Sequence, residues 1–376
     1  MDPYPGLSAE IDVAAERALV PPMARLKRAD CSGPGIRRRR RGKGFQYIDD
    51  DGAPVTEPSV LARIRELAIP PAWQDVWICP YPMGHIQATG TDVAGRKQYR
   101  YHDKWRERRD AEKFEEMTNF ARALPRLRER VAEDLAKRGM PREKVLACAM
   151  RLLDRGFFRI GSENYAEEND TYGIATMRKR HVTISGDRVT FDYEAKGGKR
   201  RVQSIGDPEL ARIAETLKKR RGGGRELLAY KVGDRWVDVK SADINAYLKE
   251  ATGGDFSAKD FRTWSGTVLA AVALAVAGMA SGSKASRTRA KSRAVKEVSR
   301  YLGNTPAVCR ASYIDPRVFD RFDGGLTIGG ALPELVEDTA PWPDVQRAVE
   351  EAVLDLIADN RESDLVEEGV ELAAVA

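Results

Sequence analysis

The sequence predicts an α+β protein with a small β-rich N-terminal domain, residues 1–108, joined to a larger, mostly α-helical domain, residues 109–362, that carries a small antiparallel sheet. Three observations support this. Up to about residue 102, short apolar runs alternate with turn signals, which is typical of antiparallel strands. Further along, apolar residues recur at helical spacing. Two Gly-containing turns between those helical stretches predict hairpins: Ser185-Gly186-Asp187 and Lys196-Gly197-Gly198-Lys199.

The first domain begins with a basic hairpin. The arginine run Arg37–Arg41 precedes the apolar residues Phe45–Ile48, and Asp51-Gly52 supplies the next turn. A solvated loop is the alternative for such a run. Downstream, a short helix ends at Ile69-Pro70-Pro71-Ala72-Trp73, and the remaining strands are predicted at Val76–Cys79, His85–Thr89 and Gln98–His102.

The second domain is entered through a charged helical stretch, Arg106–Leu127. An amphipathic helix follows at Val145–Phe158, because Leu146, Met150, Leu153 and Phe157 share one face. Strands are predicted near residues 181–184, 188–194 and 200–205, and helices dominate from Pro208 onward, with a last amphipathic helix after Pro343. Residues 363–376 are acidic and are predicted to form a disordered tail.

The charge distribution favours a polyanionic partner. The whole chain of 376 residues carries a formal net charge of +6, but the last 38 residues hold ten acids against two arginines, so residues 1–338 carry +14. A basic body of this kind is typical of nucleic-acid binding.

Other function classes find little support in the sequence. The four cysteines, Cys31, Cys79, Cys148 and Cys309, have no paired spacing, which predicts reduced thiols and a cytosolic protein. No signal peptide is evident, and the apolar stretch Thr267–Ala280 is too short to cross a bilayer, so a buried helix is predicted. The three histidines do not form a metal set, and neither a phosphate-binding Gly-x4-Gly-Lys-Ser/Thr loop nor a magnesium-binding carboxylate cluster is present, so no cofactor or metal is expected.

Tyr313 stands out because three candidate phosphate-binding cations precede it: Arg159, Lys196 and Arg262. Cleavage of a phosphodiester by a tyrosine needs a deprotonated phenol, stabilisation of the non-bridging oxygens and protonation of the departing 5′-oxygen. Arginine suits the second task because its guanidinium is planar and stays charged. Lysine suits the third because its pKa responds to its surroundings. Asn304, nine residues before Tyr313, offers one more donor. Taken singly, each residue fits an ordinary surface or core position equally well; the set and its order are informative.

The chain resembles type IB DNA topoisomerases of the small poxvirus-like form found in bacteria. The resemblance runs from about Pro34 to about Asn360 and rests on these motifs: Pro34-Gly35-Ile36 with its arginines, Ile69-Pro70-Pro71-Ala72-Trp73, Gly95-Arg96-Lys97-Gln98-Tyr99-Arg100-Tyr101, Phe157-Phe158-Arg159-Ile160-Gly161, Lys259-Asp260-Phe261-Arg262-Thr263, and Gly303-Asn304-Thr305-Pro306 through Tyr313. It implies the catalytic fold shared by tyrosine recombinases and these topoisomerases.

The resemblance also implies roles. Tyr313 would be the nucleophile that forms a 3′-phosphotyrosyl bond, Arg159 and Arg262 would activate the phosphate, and Lys196 would be the general acid, assisted by Lys259. Lys199 is a rival for the general acid, because the hairpin register decides which lysine faces the cleft. The viral enzymes have a histidine where this chain has Asn304, so a neutral donor is expected there.

Double-stranded DNA is the expected partner, bound by a monomer without a membrane. A glutamine can read adenine in a major groove and tyrosines can contact bases or phosphates, which makes Gln98, Tyr99 and Tyr101 candidate DNA contacts. Arg37, Arg38, Arg39 and Arg40 are expected on phosphates, and the resemblance adds Ser162 and Tyr165.

Two alternatives remain open. A tyrosine recombinase shares this chemistry, although such enzymes usually have His-x-x-Arg where this chain has Lys259-x-x-Arg262, and their N-terminal domain is helical. A non-enzymatic DNA-binding protein would use the same cations only to hold phosphates.

Overall fold

The computed structural model describes residues 25–278, 283–332 and 342–368. The chain divides into two compact units between Glu112 and Lys113. This division falls inside one long helix, α2 (Asp103–Leu135), four residues after the predicted domain boundary at 108/109. The mixture of helices and antiparallel sheets confirms the predicted α+β class.

In its described residues, from 25 to 112, the first unit contains a five-stranded antiparallel sheet, helix α1 (Pro58–Glu66) and the start of α2. The strand order is β2-β1-β3-β4-β5. Its small core contains Ile36, Ile64, Val76, Ile78 and Ala88. The strands are β1 (Ile36–Arg41), β2 (Gly44–Ile48), β3 (Gln74–Ile78), β4 (Ile86–Thr91) and β5 (Lys97–Tyr101).

The arginine run does not lead into the first hairpin but is its first strand. Arg37 pairs with Ile48 and Arg41 with Gly44, and the turn between them contains Gly42 with φ +58°. A single apolar residue, Ile36, anchors the run at its start. Because alternate residues of a strand face opposite sides, the five arginines are distributed over both faces of the sheet.

The second unit is mostly helical. Its helices after α2 are α3 (Arg142–Gly156), α4 (Glu163–Asn169), α5 (Pro208–Lys219), α6 (Ser241–Thr252), α7 (Ala258–Gly278), α8 (Lys284–Leu302), α9 (Pro306–Tyr313), α10 (Pro316–Asp323) and α11 (Trp342–Ala358). Its strands are β6 (Val182–Ser185), β7 (Arg188–Ala195), β8 (Lys199–Gly206), β9 (Ala229–Val232), β10 (Arg235–Asp238), β11 (Leu326–Thr327) and β12 (Glu367–Glu368).

The β6-β7-β8 sheet fixes the position of Lys196. Ala195 pairs with Lys199, so Lys196, Gly197 and Gly198 form the turn. Both glycines have positive φ, +84° and +68°, which only glycine adopts without strain. Lys196 therefore lies at the hairpin tip, and Lys199 is the first residue of β8.

Helix α7 lies at the centre of the second unit. By length and composition alone it could cross a membrane, but more than half of its apolar window is buried inside the unit, as is typical of the core helix of a soluble protein. Phe261, Trp264, Ala270 and Leu274 are among its buried residues. It contacts α8 and α9, the two helices that precede and carry Tyr313.

The predicted disordered tail is wrong for residues 363–368. The Ser363 hydroxyl donates to Asp355 at 2.7 Å, Val366 is buried, and β12 pairs with β11. The apolar residues Leu365 and Val366 interrupt the acidic stretch and pack against the core, which a count of charges alone does not reveal. Residues 369–376 lie outside the described residues.

Candidate active site

A close backbone contact holds Arg159. After α3 the chain reverses through Phe157 in the left-handed region, with φ +54°. The carbonyl oxygen of Arg159 then accepts from the Ile174 amide at 2.9 Å. A Cβ on Gly173 would lie 2.4 Å from the nitrogen of Gly161 and 2.6 Å from the oxygen of Arg159, so no larger residue fits at this crossing.

Arg262 is buried on α7, with 4% of its surface exposed. Its two terminal nitrogens donate to main-chain carbonyl oxygens, to Phe157 at 2.6 Å and to Leu302 at 2.7 Å. Its guanidinium lies 5.2 Å from the centre of the Tyr313 ring. Burial and then the charge of Arg159 lower the pKa of Arg262 to about 10, against the opposing effect of Tyr313. The group is therefore charged at neutral pH but destabilised, and an anion beside it would relieve that cost.

Tyr313 is the last residue of α9, and its main chain rests on α7. Thr305 caps α9 by accepting from the Val308 amide at 3.3 Å. At the other end, a Cβ on Gly266 would lie 2.5 Å from the Tyr313 carbonyl oxygen. One residue further on α7, the Thr267 hydroxyl accepts from the Asp315 amide at 3.1 Å. The helix that carries Arg262 thus also holds the backbone of the candidate nucleophile.

Asn304 follows the C-terminal end of α8 and is linked to Arg159. Nη2 of Arg159 donates to Oδ1 of Asn304 at 2.5 Å. That bond assigns the amide orientation, and the buried Nδ2 of Asn304 has no hydrogen-bond partner among the described residues. Nε of Arg262 is also buried and has no hydrogen-bond partner among the described residues. Each is a buried donor that a phosphate oxygen within reach would satisfy.

Arg159, Arg262 and Tyr313 line one cleft of about 330 Å³. Lys196 is exposed and reaches the cleft, with Nζ 5.9 Å from the centre of the Tyr165 ring. Lys199 is absent from the lining residues that the structure describes. The lining consists of Arg159, Ile160, Gly161, Ser162, Tyr165, Thr171, Tyr172, Lys196, Ala258, Lys259, Arg262 and Tyr313. All the catalytic side chains that the sequence predicts therefore line the cleft, except Asn304, which contacts Arg159.

In the first unit, the predicted DNA contacts fall on two faces of β5. Tyr99 and Tyr101 are 43% and 40% exposed and stack with their ring centres 6.0 Å apart. Gln98 faces the other side, where its Nε2 donates to Asp92 at 2.9 Å. The structure does not bring the glutamine and the two tyrosines together on one face.

Arg38 corrects one sequence prediction. Its guanidinium donates to the carbonyl oxygens of Ile69, Pro70 and Trp73 at 2.6–3.3 Å and lies 4.2 Å from the Phe45 ring centre. Those contacts engage its guanidinium in holding the Pro-Pro segment, so Arg38 is not the free phosphate-binding side chain that the sequence predicts. Its neighbours Arg37, Arg39 and Arg40 are exposed, as a phosphate contact requires.

Two basic features of the structure are not among those predicted from the sequence. Arg201 of β8 donates to the Tyr301 carbonyl oxygen at 2.5 Å, close to the cleft. Four exposed cations also follow one face of α8 at intervals of four, three and four residues, a helical spacing that inspection of the sequence could have found: Arg289, Arg293, Lys296 and Arg300.

Within the described ranges, no group of three or more His, Cys, Asp or Glu side chains could hold a metal ion. His181 is buried against Tyr172, with 4.4 Å between ring centres, and its Nδ1 accepts from the Arg178 amide. Burial and the charges of Arg180 and Arg178 lower its pKa to about 4. His181 therefore packs as a neutral side chain.

Comparison with known proteins identifies the family. Residues 102–322 match the family model of the eukaryotic DNA topoisomerase I catalytic core, and residues 44–92 match that of the bacterial DNA topoisomerase IB N-terminal domain. The chain is 32% identical to DNA topoisomerase 1B of Acanthamoeba polyphaga mimivirus over 287 residues, 74% of this chain and 85% of the relative.

Two further relatives match over shorter segments. DNA topoisomerase 1B of vaccinia virus (strain Copenhagen) is 26% identical over 28% of this chain and 34% of its own length. DNA topoisomerase 1 of Schizosaccharomyces pombe is 30% identical over 41% of this chain and 18% of its own. The core match includes Arg159, Lys196, Arg262, Asn304 and Tyr313, and the mimivirus match covers most of both chains. The chain therefore belongs to the type IB DNA topoisomerases.

Proposed function

We propose that this protein relaxes supercoiled DNA of either sign by cutting one strand, letting the duplex swivel and rejoining the strand. The observation that carries the proposal is the cleft in which Tyr313 stands beside Arg262 while Nε of Arg262 and Nδ2 of Asn304 lack partners among the described residues. A phosphodiester supplies both the electrophile for the phenol and the oxygens for those donors.

In the proposed cleavage, the phenolic oxygen of Tyr313 attacks phosphorus and its proton leaves to water. The bond from phosphorus to the 5′-oxygen breaks, and Lys196 donates a proton to that oxygen, assisted by Lys259. Arg159, Arg262 and Asn304 stabilise the negative charge on the non-bridging oxygens as it develops. The DNA then carries a 3′-phosphotyrosyl bond and a free 5′-hydroxyl.

Rejoining reverses these steps. The 5′-hydroxyl attacks the phosphotyrosyl phosphorus, and the phenol leaves. Because the covalent bond conserves the energy of the phosphodiester, the proposal needs neither a nucleotide nor an obligatory metal. Relaxation of a plasmid in EDTA without ATP tests this, and a strict requirement for either one would overturn it.

The first unit is proposed as a second DNA-binding region. Its exposed tyrosine pair, Tyr99 and Tyr101, presents aromatic faces and hydroxyl groups, and the exposed Arg37, Arg39 and Arg40 supply charge for phosphates. Gln98 retains its amide oxygen as an acceptor, and Ser162 and Tyr165 at the cleft complete the proposed contacts. We propose a monomer that acts on double-stranded DNA in the cytoplasm.

Trapping on a nicked suicide substrate tests the nucleophile directly. Wild-type protein is expected to become attached to the 3′ end, with the DNA on Tyr313 after proteolysis and mass spectrometry. Tyr313→Phe should form no adduct while it binds the same duplex with unchanged affinity. Adducts in that variant, or attachment to a 5′ end, would contradict the proposal.

A plasmid without any special site separates the remaining alternatives. A recombinase requires paired specific sites, and a non-enzymatic DNA-binding protein leaves no adduct after denaturation. Relaxation of an arbitrary plasmid together with a denaturation-resistant adduct is expected only of the proposed activity.

A further inference from the structure

The C-terminal end of α8 is held by three arginines. A helix end leaves its last carbonyl oxygens without intrahelical partners. Here three consecutive oxygens each accept from a different guanidinium: Tyr301 from Arg201 at 2.5 Å, Leu302 from Arg262 at 2.7 Å and Gly303 from Arg159 at 3.4 Å. Cations are also favoured at this end by the helix dipole.

The three arginines come from separate parts of the fold. Arg159 follows α3, Arg262 lies on α7 and Arg201 lies on β8. Arg201 is thus the member of the set that belongs to the hairpin whose tip carries Lys196. Its contact ties that hairpin to the segment that leads into Asn304, two elements 100 residues apart in the chain.

The contact is built into the backbone as well. Gly303 ends α8 in the left-handed region with φ +63°, and a Cβ there would lie 2.1 Å from Nη1 of Arg201. Glycine is therefore needed both for the turn and for the approach of the guanidinium. Arg201 pairs with Tyr193 across the sheet, and the Tyr193 ring stacks on Phe158, next to Arg159.

Burial lowers the pKa of Arg201, and the nearby charge of Arg159 lowers it further. Among the described residues, this partly buried guanidinium donates to the Tyr301 carbonyl oxygen, and such a bond restrains the main chain that leads into Asn304.

We propose that Arg201 is a positioning residue for DNA cleavage, which holds the end of α8 so that Asn304 meets the scissile phosphate. This rests on the proposed role of Asn304. Arg201 acts through the main chain of Tyr301 and need not touch DNA.

The test compares Arg201→Met, which keeps the bulk of the side chain but removes its charge and donors, with Arg201→Lys, which keeps a cation that can still donate. The matched control is Arg200→Met, because Arg200 is exposed on the same strand and pairs with Asp192 instead. Single-turnover cleavage is measured at saturating protein, and non-covalent DNA affinity is measured in the Tyr313→Phe background.

Arg201→Met is expected to slow cleavage at least tenfold, while its DNA affinity stays within twofold of the parent. Arg201→Lys is expected to recover part of the cleavage rate. Arg200→Met is expected to cleave within twofold of the wild-type rate. In an Asn304→Ala background, Arg201→Met should cause little further loss, because residues that act through one another are non-additive. That double-mutant cycle is a readout that general destabilisation would not produce.

The proposal would be overturned by additive losses in the double-mutant cycle or by a normal cleavage rate in Arg201→Met. It would also be overturned if Arg201→Met lost DNA affinity with a shallower salt dependence, because Arg201 would then be a phosphate contact. If wild type itself forms no adduct, the proposed function fails. If wild type forms adducts and Arg201→Met matches Arg200→Met, only the role of Arg201 fails.

Discussion

At the scale of single residues, the site contains buried donors that find no acceptor in the part of the chain that the structure describes. Nδ2 of Asn304 and Nε of Arg262 are buried without partners among the described residues, whereas the other donors of Arg262 are bound to carbonyl oxygens. An unmade hydrogen bond in a buried place is costly, about 1–3 kcal/mol. The free protein therefore pre-positions donors that the phosphate oxygens of the proposed substrate would satisfy.

Asn304→Asp tests this arrangement with almost no change in shape. The new carboxylate would pair with Arg159 and could no longer donate to a phosphate oxygen. We expect the cleavage rate to fall by about 10²–10³-fold, further than in Asn304→Ala, which adds no negative charge. Single-turnover cleavage at saturating protein gives the comparison, and an Asp variant that is faster than the Ala variant would refute the role.

At the scale of elements, α7 joins Arg262, the proposed phosphate-binding arginine, to Tyr313, the proposed nucleophile. Arg262 and Gly266 lie one turn apart, and the Tyr313 carbonyl oxygen occupies the space that a side chain at position 266 would fill. The same helix thus carries Arg262 and supports the main chain at Tyr313.

Gly266→Ala should therefore misplace Tyr313. A Cβ 2.5 Å from the Tyr313 oxygen forces the end of α9 to move, and we expect cleavage to slow by about 10–100-fold, since small displacements of reacting groups are that costly. Alanine is the better helix former by about 1 kcal/mol, so helix propensity does not explain a loss. Ser265→Ala on the same helix is the control, and equal rates for the two variants would contradict the argument.

His181, the residue directly before β6, is expected to make the stability of the protein depend on pH. His181 stays neutral in the folded protein down to about pH 4, because its pKa is lowered to about 4. In the unfolded chain it takes up its proton as the pH falls through about 6.5. Between these values the unfolded state binds more protons, so the free energy of unfolding falls as the pH decreases from 6.5 to 4, by roughly 2–3 kcal/mol from this group.

Urea denaturation of wild type and His181→Asn at several pH values measures that contribution. Asparagine can still accept from the Arg178 amide but does not titrate. The stability difference between the two proteins should narrow as the pH falls from 6.5 to 4. A constant difference would show that His181 does not titrate in this way.

The sequence predicts a residue's place in the site when that residue lies in a recognisable local motif. It does not do so when the residue acts through a contact with a distant part of the chain. The order of Arg159, Arg262 and Tyr313 along the chain was enough to single them out, because each sits in a distinctive local motif. The choice between Lys196 and Lys199 depended on a strand register. Arg201 was missed because its partner is a main-chain oxygen 100 residues away, and a carbonyl has no sequence signature.

At the scale of the whole molecule, the basic body in the sequence indicated a nucleic acid, which agrees with a family of DNA topoisomerases, but it did not show which cations are exposed. Arg38 and Arg39 are adjacent and identical in sequence, yet one is bound to three carbonyl oxygens and the other is exposed. Alternation along a strand decides between them, and a run of identical residues hides the face to which each belongs. The acid-rich C-terminal segment shows the same limit of charge counting. Its charges predict disorder, but Leu365 and Val366 pack against the core.

This difference between neighbouring arginines can be measured. Neutralising Arg37 and Arg39 to glutamine should make the dependence of log K on log salt shallower by about 1.8, if each contacts one phosphate, and leave the stability of the protein nearly unchanged. Arg38→Gln should do the reverse, lowering the melting temperature with a smaller effect on the salt slope. Binding is read by fluorescence anisotropy with the Tyr313→Phe protein. Identical slopes for the double variant and its parent would exclude these phosphate contacts.

The attachment of Tyr313 has a mechanical consequence. In the proposed intermediate, one broken DNA end hangs on this residue while the rest of the duplex rotates under torsional stress. Directly after Tyr313, the chain is fastened to the central helix by the Asp315 amide on the Thr267 hydroxyl. Tension on the DNA end would thus pass into the core of the second unit within two residues, so the anchored strand stays in place for rejoining while the other end turns.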